Sequence, residues 1–270
     1  MSSRGMEQVN EATHFDRRGP SYDASETHRR ILSILVSGAP LQPGMRVLDI
    51  ATGTGAVALK AAEMVGTQGS VLGVDISEGM LAEARRKAAA AGLRNVEFVQ
   101  ADAERMELPG GSFDSIFCAS GLVLMRDIPA ALRGWAHWVK PDGFIAFDVP
   151  AKPFGISEMI AEAAAVWGVM LPYDTVADTP EKCRELLEDA GFEAVRVQTE
   201  QVSDDWMELA DAVGFLEERL DHPAWRALKQ ASPQTRDTIR ETFVANLRRG
   251  AKGTLVRSRV VQNFVYGRKL

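Results

Sequence analysis

Nine consecutive residues constrain this chain more than any others: Val47-Leu48-Asp49-Ile50-Ala51-Thr52-Gly53-Thr54-Gly55. The short apolar run Val47 to Ile50 predicts a buried strand. A turn of small residues follows, and Ala56 to Val65 predicts an apolar helix. A strand, a glycine turn and a helix in that order make a place where a ligand lies against bare backbone. Thr52-Gly53-Thr54-Gly55 keeps bulky side chains out of the way, and the helix start behind it offers unpaired N–H groups.

The next hundred residues extend the pattern. Ser70 to Asp75 reads as a second strand ending in a carboxylate, well placed to accept both ribose hydroxyls of a nucleoside. Asn95 to Gln100 reads as a third strand, followed by Ala101-Asp102-Ala103. Phe113 to Ala119 reads as a fourth, and Pro141-Asp142-Gly143 as a turn feeding a fifth that ends at Asp148. Helices are expected over 22–37, over Glu78 to Ala91 with Ser77 as cap and Gly92 as stop, and from Asp127-Ile128-Pro129 to Val139. A further helix from Thr179-Pro180-Glu181 to Ala190 leads into strand six (Glu193 to Val202), and Arg259 to Arg268 reads as strand seven. Residues 1 to about 13 are polar and are expected to be mobile.

Over about residues 40 to 150 this series resembles the class I S-adenosylmethionine-dependent methyltransferases. The flanks match more loosely; their layout, with Phe15-Asp16 and Tyr22-Asp23 ahead of strand one, is similar to the ubiquinone and menaquinone C-methyltransferases. The resemblance implies an α/β, Rossmann-like fold: a seven-stranded, mostly parallel sheet with an antiparallel last strand and a helical lid, in one domain over 1–270. It implies S-adenosylmethionine as cofactor. Its binding residues would be Asp49, Ala51, Thr52, Gly53 and Gly55 at the turn and Asp75 on the ribose. Ile76 and Met80 would lie near the adenine, with Asp102 on its amino group and Ala103 beside it. Ala119, Ser120, Gly121 and Leu124 would floor the methyl donor, and Tyr22 would cover it, an aromatic face being favourable beside a sulfonium. Packing the N-terminal helix is the equally good plain reading of Tyr22. The family's Leu-Lys-Pro-Gly-Gly run is Val139-Lys140-Pro141-Asp142-Gly143 here. Its first turn glycine is Ala51, a mild departure that permits close approach if φ is negative. A dinucleotide-binding dehydrogenase is the competing reading, but its third glycine is missing after Gly53 and Gly55, and Asp102 would go unexplained.

Composition narrows the partners. A chain of 270 residues, 46% hydrophobic and 25% charged, is that of an ordinary globular protein. Its net charge of −6 disfavours a phosphate backbone as substrate. The basic group Arg248, Arg249, Lys252, Arg257 and Arg259 reads as a solvated face and a helix C-terminus complement. Two cysteines give no disulfide framework, and Cys118 reads as a small core residue. With no signal peptide and no long apolar run, a cytoplasmic setting is expected.

Two insertions stand out against the bare fold. The first, about 150–178, carries a helix Ile156 to Met170 with Ile160, Ala164, Trp167 and Met170 on one face. In the second, about 203–257, Trp206, Leu209, Val213, Leu216 and Leu220 recur at helical spacing, and a helix runs through Ile239 to Leu247. With an N-terminal helix over 20–40, these are the expected lid, although core packing explains any amphipathic stripe. No strong catalytic signature stands in the chain. Of the four histidines, the candidate bases are His28, on the N-terminal helix, and His14, just before it and slightly favoured because it neighbours Phe15, whereas His137 and His222 read as structural or exposed. The expected function is methyl transfer to a small, apolar or aromatic metabolite on carbon or oxygen, by a monomer or homodimer with no metal, no nucleic acid and no membrane span. A cyclase or other non-methylating catalyst on the same fold is the alternative, and a cofactor sensor is a third reading.

Overall fold

The computed structural model describes residues 12, 14–16, 19–171, 177–220 and 222–270. The stretch 1–13 expected to be mobile lies, apart from Ala12, outside them, as does part of the first insertion. The chain divides into two compact units: 1–148 with 183–198 and 264–270, and 149–182 with 199–263.

The first unit is built on a seven-stranded sheet. Its strands are β1 (Arg46–Ile50), β2 (Ser70–Asp75), β3 (Val96–Gln100), β4 (Phe113–Cys118), β5 (Val139–Phe154), β6 (Phe192–Glu208) and β7 (Leu255–Lys269), in the order β3-β2-β1-β4-β5-β7-β6. The first five run parallel to one another, while β7 runs antiparallel to β5 and β6. Strand order reverses beside β1: β2 leaves it on one side and β4 on the other. At such a switch point the loops after neighbouring strands diverge and leave a crevice at the carboxyl ends. Val47, Leu48 and Ile50 are fully buried, as expected of a central parallel strand covered on both faces.

The helices of this unit are α1 (Glu26–Ser37), α2 (Ala56–Val65), α3 (Glu78–Ala90), α4 (Ile128–Trp138) and α6 (Pro180–Asp189), with α5 assigned to the second unit. Ser77 caps α3 by accepting from Met80 N–H, and Asp127 caps α4. The helix expected over 22–37 is interrupted: Gly19–Ala24 is a 3₁₀ turn, and α1 begins only after Ser25, whose hydroxyl accepts from His28 N–H. A side-chain cap at Ser25 competes with a helix running through it. Trp135, fully buried on α4, donates its indole N–H to Ala103 O (3.2 Å), pinning the loop after β3.

The second unit contains α5 (Gly155–Val166), α7 (Leu209–Arg219), a short α8 (Arg226–Gln230) and α9 (Pro233–Gly250). Helices α5, α7 and α9 pack on one another through Ile160, Ala164, Ala212, Leu216, Ile239, Phe243 and Leu247. Two sequence expectations fail here. The first helix stops at Val166, so Trp167 and Met170 lie beyond it and are about half exposed instead of sharing a buried face. Trp206 is in β6 rather than on a helix and is 44% exposed, whereas Leu216 and Trp225 are core. The 3.6-residue spacing from Trp206 to Leu209 was a coincidence across a strand–helix junction. Strands five to seven are also longer than expected, because β5, β6 and β7 continue into the second unit.

Candidate cofactor site

The site is built from loops at the carboxyl ends of β1, β2, β3 and β4. After β1 the backbone enters the left-handed region at Ala51 (φ 53°), Gly53 (φ 54°) and Gly55 (φ 82°). This alternation turns a strand sharply into α2 and exposes backbone on the crevice side. Ala51 departs from the sequence expectation, which required negative φ. An L-residue there costs about 1 kcal/mol, and its methyl is accommodated by Gly121 after β4, where an added Cβ would lie 2.6 Å from the Ala51 Cβ.

Asp49 is the most constrained polar group. It is 1% exposed; its Oδ2 accepts from Thr52 Oγ1 (2.5 Å) and from Ala58 N–H (3.0 Å), while Oδ1 has no protein partner. Burial pushes its pKa up to about 7, against the lowering effect of those two hydrogen bonds and with a further push from Asp75. The half-buried Asp75 bridges two loops, accepting from Gly53 N–H (2.8 Å) through Oδ2 and from Ser77 N–H (2.9 Å) through Oδ1. Its pKa is also raised, mainly by burial.

Asp49, Ala51, Thr52, Gly53, Thr54, Ala56, Val57, Ala119, Tyr22, His28 and Leu32 line a narrow cleft. Tyr22 and His28 meet edge to face, with ring centroids 4.9 Å apart. His14 instead packs edge-on against Phe15 at 5.0 Å and is not among the lining residues. Ile76 is half-buried, and its carbonyl accepts from Gln100; Met80 is buried on α3 at 2% exposure. Asp102 turns its carboxylate into its own loop: Oδ1 accepts from Glu104 N–H (2.9 Å), and Oδ2 lies 3.4 Å from Arg105 Nε. Ser120 is left-handed (φ 53°) and is bonded twice to the buried Asp148.

Three positioning residues escaped the sequence reading. Asp16 Oδ1 accepts from Ser77 Oγ (2.6 Å) and Gly79 N–H (2.9 Å), tying the N-terminal arm to the loop after β2. Asp23 accepts from Thr54 Oγ1 (2.6 Å) and pairs with Lys87, tying the same arm to the glycine turn. The aromatic–Asp pairs were visible in sequence, but nothing in their spacing says which loop they reach. Asp148 carried a signal that went unused: a lone acid in the apolar run Phe144 to Val149 has to be satisfied inside the protein. Among the described residues no group of His, Cys, Asp and Glu has the arrangement of a metal site.

The geometry suits a cationic amino acid joined to a nucleoside. An unpartnered carboxylate oxygen can receive an ammonium, bare backbone admits close approach, and a second carboxylate stands at the next strand end. The relatives agree in class. Residues 47–143 match the model of a methyltransferase domain. The chain is 36% identical over 146 residues to a nocamycin O-methyltransferase of Saccharothrix syringae, covering 53% of this chain and 52% of that protein. It is 36% identical over 127 residues to a ubiquinone/menaquinone biosynthesis C-methyltransferase of Coxiella burnetii, covering 47% of this chain and 51% of that one. The YcgJ protein of Bacillus subtilis shares the fold, with a TM-score of 0.60 at 20% identity over 88% of this chain and 97% of its own. Residues 47–143 of this chain form a methyltransferase domain. The chain spans about half the length of the curated relatives it matches.

Proposed function

We propose that the chain transfers a methyl group from S-adenosylmethionine to a small, apolar or aromatic metabolite, on carbon or oxygen. The observation that carries this reading is the strand-end cleft in which Asp49 keeps one carboxylate oxygen unpartnered beside the open backbone of Gly53. In this reading Asp49 and the loop Ala51-Thr52-Gly53-Thr54-Gly55 hold the methionine part. Asp75 takes the ribose, Ile76 and Met80 flank the base, Asp102 and Ala103 meet its edge, and Ala119, Ser120 and Gly121 floor the donor. Tyr22 covers it.

When bound, the cofactor supplies a methyl already activated by a positive sulfonium. What remains for the protein is orientation: holding nucleophile and methyl about 3 Å apart and in line. The Asp49 and Asp75 carboxylates do this on the donor side by accepting hydrogen bonds from fixed positions on two adjacent strands. A base is needed only for a hydroxyl or a weak carbon acid. His28, in the cleft wall, is the better placed of the two candidates; His14 is retained as the second. The acidic balance of the chain favours a small-molecule acceptor over nucleic acid. Among the described residues no helix is long and apolar enough to cross a membrane. A monomer or homodimer in the cytoplasm completes the proposal.

The test is release of S-adenosylhomocysteine from S-adenosylmethionine in the presence of phenols, quinone precursors and polyketide-like acceptors. Release dependent on an acceptor is the expected result. Tight cofactor binding with no release across the panel would favour a non-methylating catalyst, and no binding at all would remove the reading.

A further inference from the structure

The loop after β4 carries a clamp that the cofactor reading does not call for. Ser120 occupies the left-handed region at φ 53°, which a serine adopts only against a steric cost. Two bonds offset that cost, both to one residue. Ser120 N–H donates to Asp148 Oδ1 (2.7 Å), and Ser120 Oγ–H donates to Asp148 Oδ2 (3.2 Å). Asp148 is 1% exposed, near the fully buried Phe147 and beside Val149 on β5, so its carboxylate is held where water does not compete. The loop is fixed on its other side as well. Gly121 approaches the left-handed Ala51 so closely that no side chain fits between them, and Ala119 lines the cleft together with Ala51 and Gly53. Strand five thus sets the loop after strand four, and that loop in turn rests on the turn after strand one.

We infer that Asp148 is a positioning residue that holds Ser120 left-handed and thereby fixes the Ala119–Gly121 wall of the cofactor cleft. The inference rests on the methyltransferase reading of that cleft. Asp148 is not among the residues lining the cleft, and it reaches the cleft wall through its two Ser120 bonds. A side chain accepting from both the amide and the hydroxyl of one residue leaves that residue a single backbone conformation. Asparagine retains an acceptor for the amide and gains a donor for the hydroxyl oxygen, so it is the conservative replacement. Glycine at 120 removes the steric cost and reduces the need for the clamp.

The experiment uses the full chain as Asp148→Ala, Asp148→Asn, and Asp148→Ala combined with Ser120→Gly. Two quantities are read: hydrogen exchange at the Ser120 amide without ligand, and the Kd for S-adenosylmethionine by calorimetry. Asp148→Ala is expected to speed exchange at Ser120 and to raise Kd about tenfold, the loss of two modest hydrogen bonds. Asp148→Asn is expected to stay within about threefold of wild type in both, and the double variant to bind more tightly than Asp148→Ala alone. A protein merely loosened by Asp148→Ala would show a lower Tm with Kd unchanged, and that overturns the inference; so does unchanged exchange at Ser120. If Asp148→Ala does not fold, a tenfold loss of affinity in Asp148→Asn overturns the proposed rescue. If the wild type binds no S-adenosylmethionine, the cofactor reading fails, and accelerated Ser120 exchange in Asp148→Ala still decides whether the clamp exists.

Discussion

The two units treat charge in opposite ways. In the first, Asp49 near the end of β1 and Asp148 within β5 are 1% exposed, and each has defined donors. In the second, the acids pair at the surface: Arg257 grips Asp204 with both partners partly exposed, and Arg240 meets Glu217 with about half of each side chain in solvent. The second unit also leaves Trp167, Met170 and Trp206 exposed, and the polar side chains it buries, Gln262 and Asn263, are neutral. Burying a carboxylate is costly unless a compensating interaction exists. The first unit accepts that cost at Asp49 and leaves one oxygen unpartnered, which marks it as a place for a ligand. Among its described residues the second unit buries no carboxylate, and its surface pairs contribute little.

The largest expected effect that would break this comparison comes from the second unit's core. Trp225 is 1% exposed, and Trp225→Ala should lower stability by about 3–5 kcal/mol, read as a fall in the urea midpoint. A shift no larger than that of a surface variant would mean that this unit has no fixed core to contrast with the site. Next comes Asp49→Ala. It strands the Thr52 hydroxyl and the Ala58 N–H inside the protein, and should cost about 2–3 kcal/mol of stability. Cofactor binding should fall with it, by about a hundredfold. Near-normal affinity in this variant would detach the unpartnered oxygen from ligand binding.

The pH response sharpens the same contrast. Burial pushes the Asp49 carboxyl up to about 7 in the folded chain, from an ordinary value of 3.8. Between those values the unfolded chain has already lost its proton while the folded one keeps it. The unfolded state therefore binds fewer protons, and stability falls as pH rises through this window. The raised Asp75 acts in the same direction. In the absence of cofactor, Tm is expected to drop between pH 5 and pH 8 in the wild type, and the drop should be smaller in Asp49→Asn. Equal slopes in the two proteins would place the titration elsewhere.

Much of the first unit could be read in advance because its signals are local. Val47 to Ile50, the glycines at 53 and 55, Asp75 at a strand tip and Ser77 at a helix start each declare a conformation within a few residues. What could not be read depends on residues distant in sequence. The left-handed Ala51 packs against Gly121, and the left-handed Ser120 is bonded to Asp148, 28 residues on. Asp16 and Asp23 bind loops more than 30 residues away. In the second unit the failure was one of period. Trp206 and Leu209 stand three apart, but a strand ends between them at Glu208, and side-chain spacing alone does not locate such a junction.

Ala51 gives the smallest effect and the finest test of how the two kinds of region differ. Ala51→Gly removes a left-handed alanine and should stabilise the folded chain by up to about 1 kcal/mol. Two things work against the full gain. Glycine enlarges the unfolded ensemble, and the lost methyl leaves the Gly121 backbone without the contact that packs it. If local strain dominates, Tm rises and cofactor affinity stays level. If the methyl is a spacer between the loops after β1 and β4, Tm stays flat while affinity falls, because Ala119 loses its support. The second outcome would mean that the family's usual glycine is absent here for a packing reason. The comparable change in the second unit, Trp206→Ala, alters a half-exposed side chain and should move stability by no more than about 0.5 kcal/mol with no change in affinity. A rise in Tm for Ala51→Gly beside a silent Trp206→Ala would locate the backbone strain of this chain at the cofactor turn.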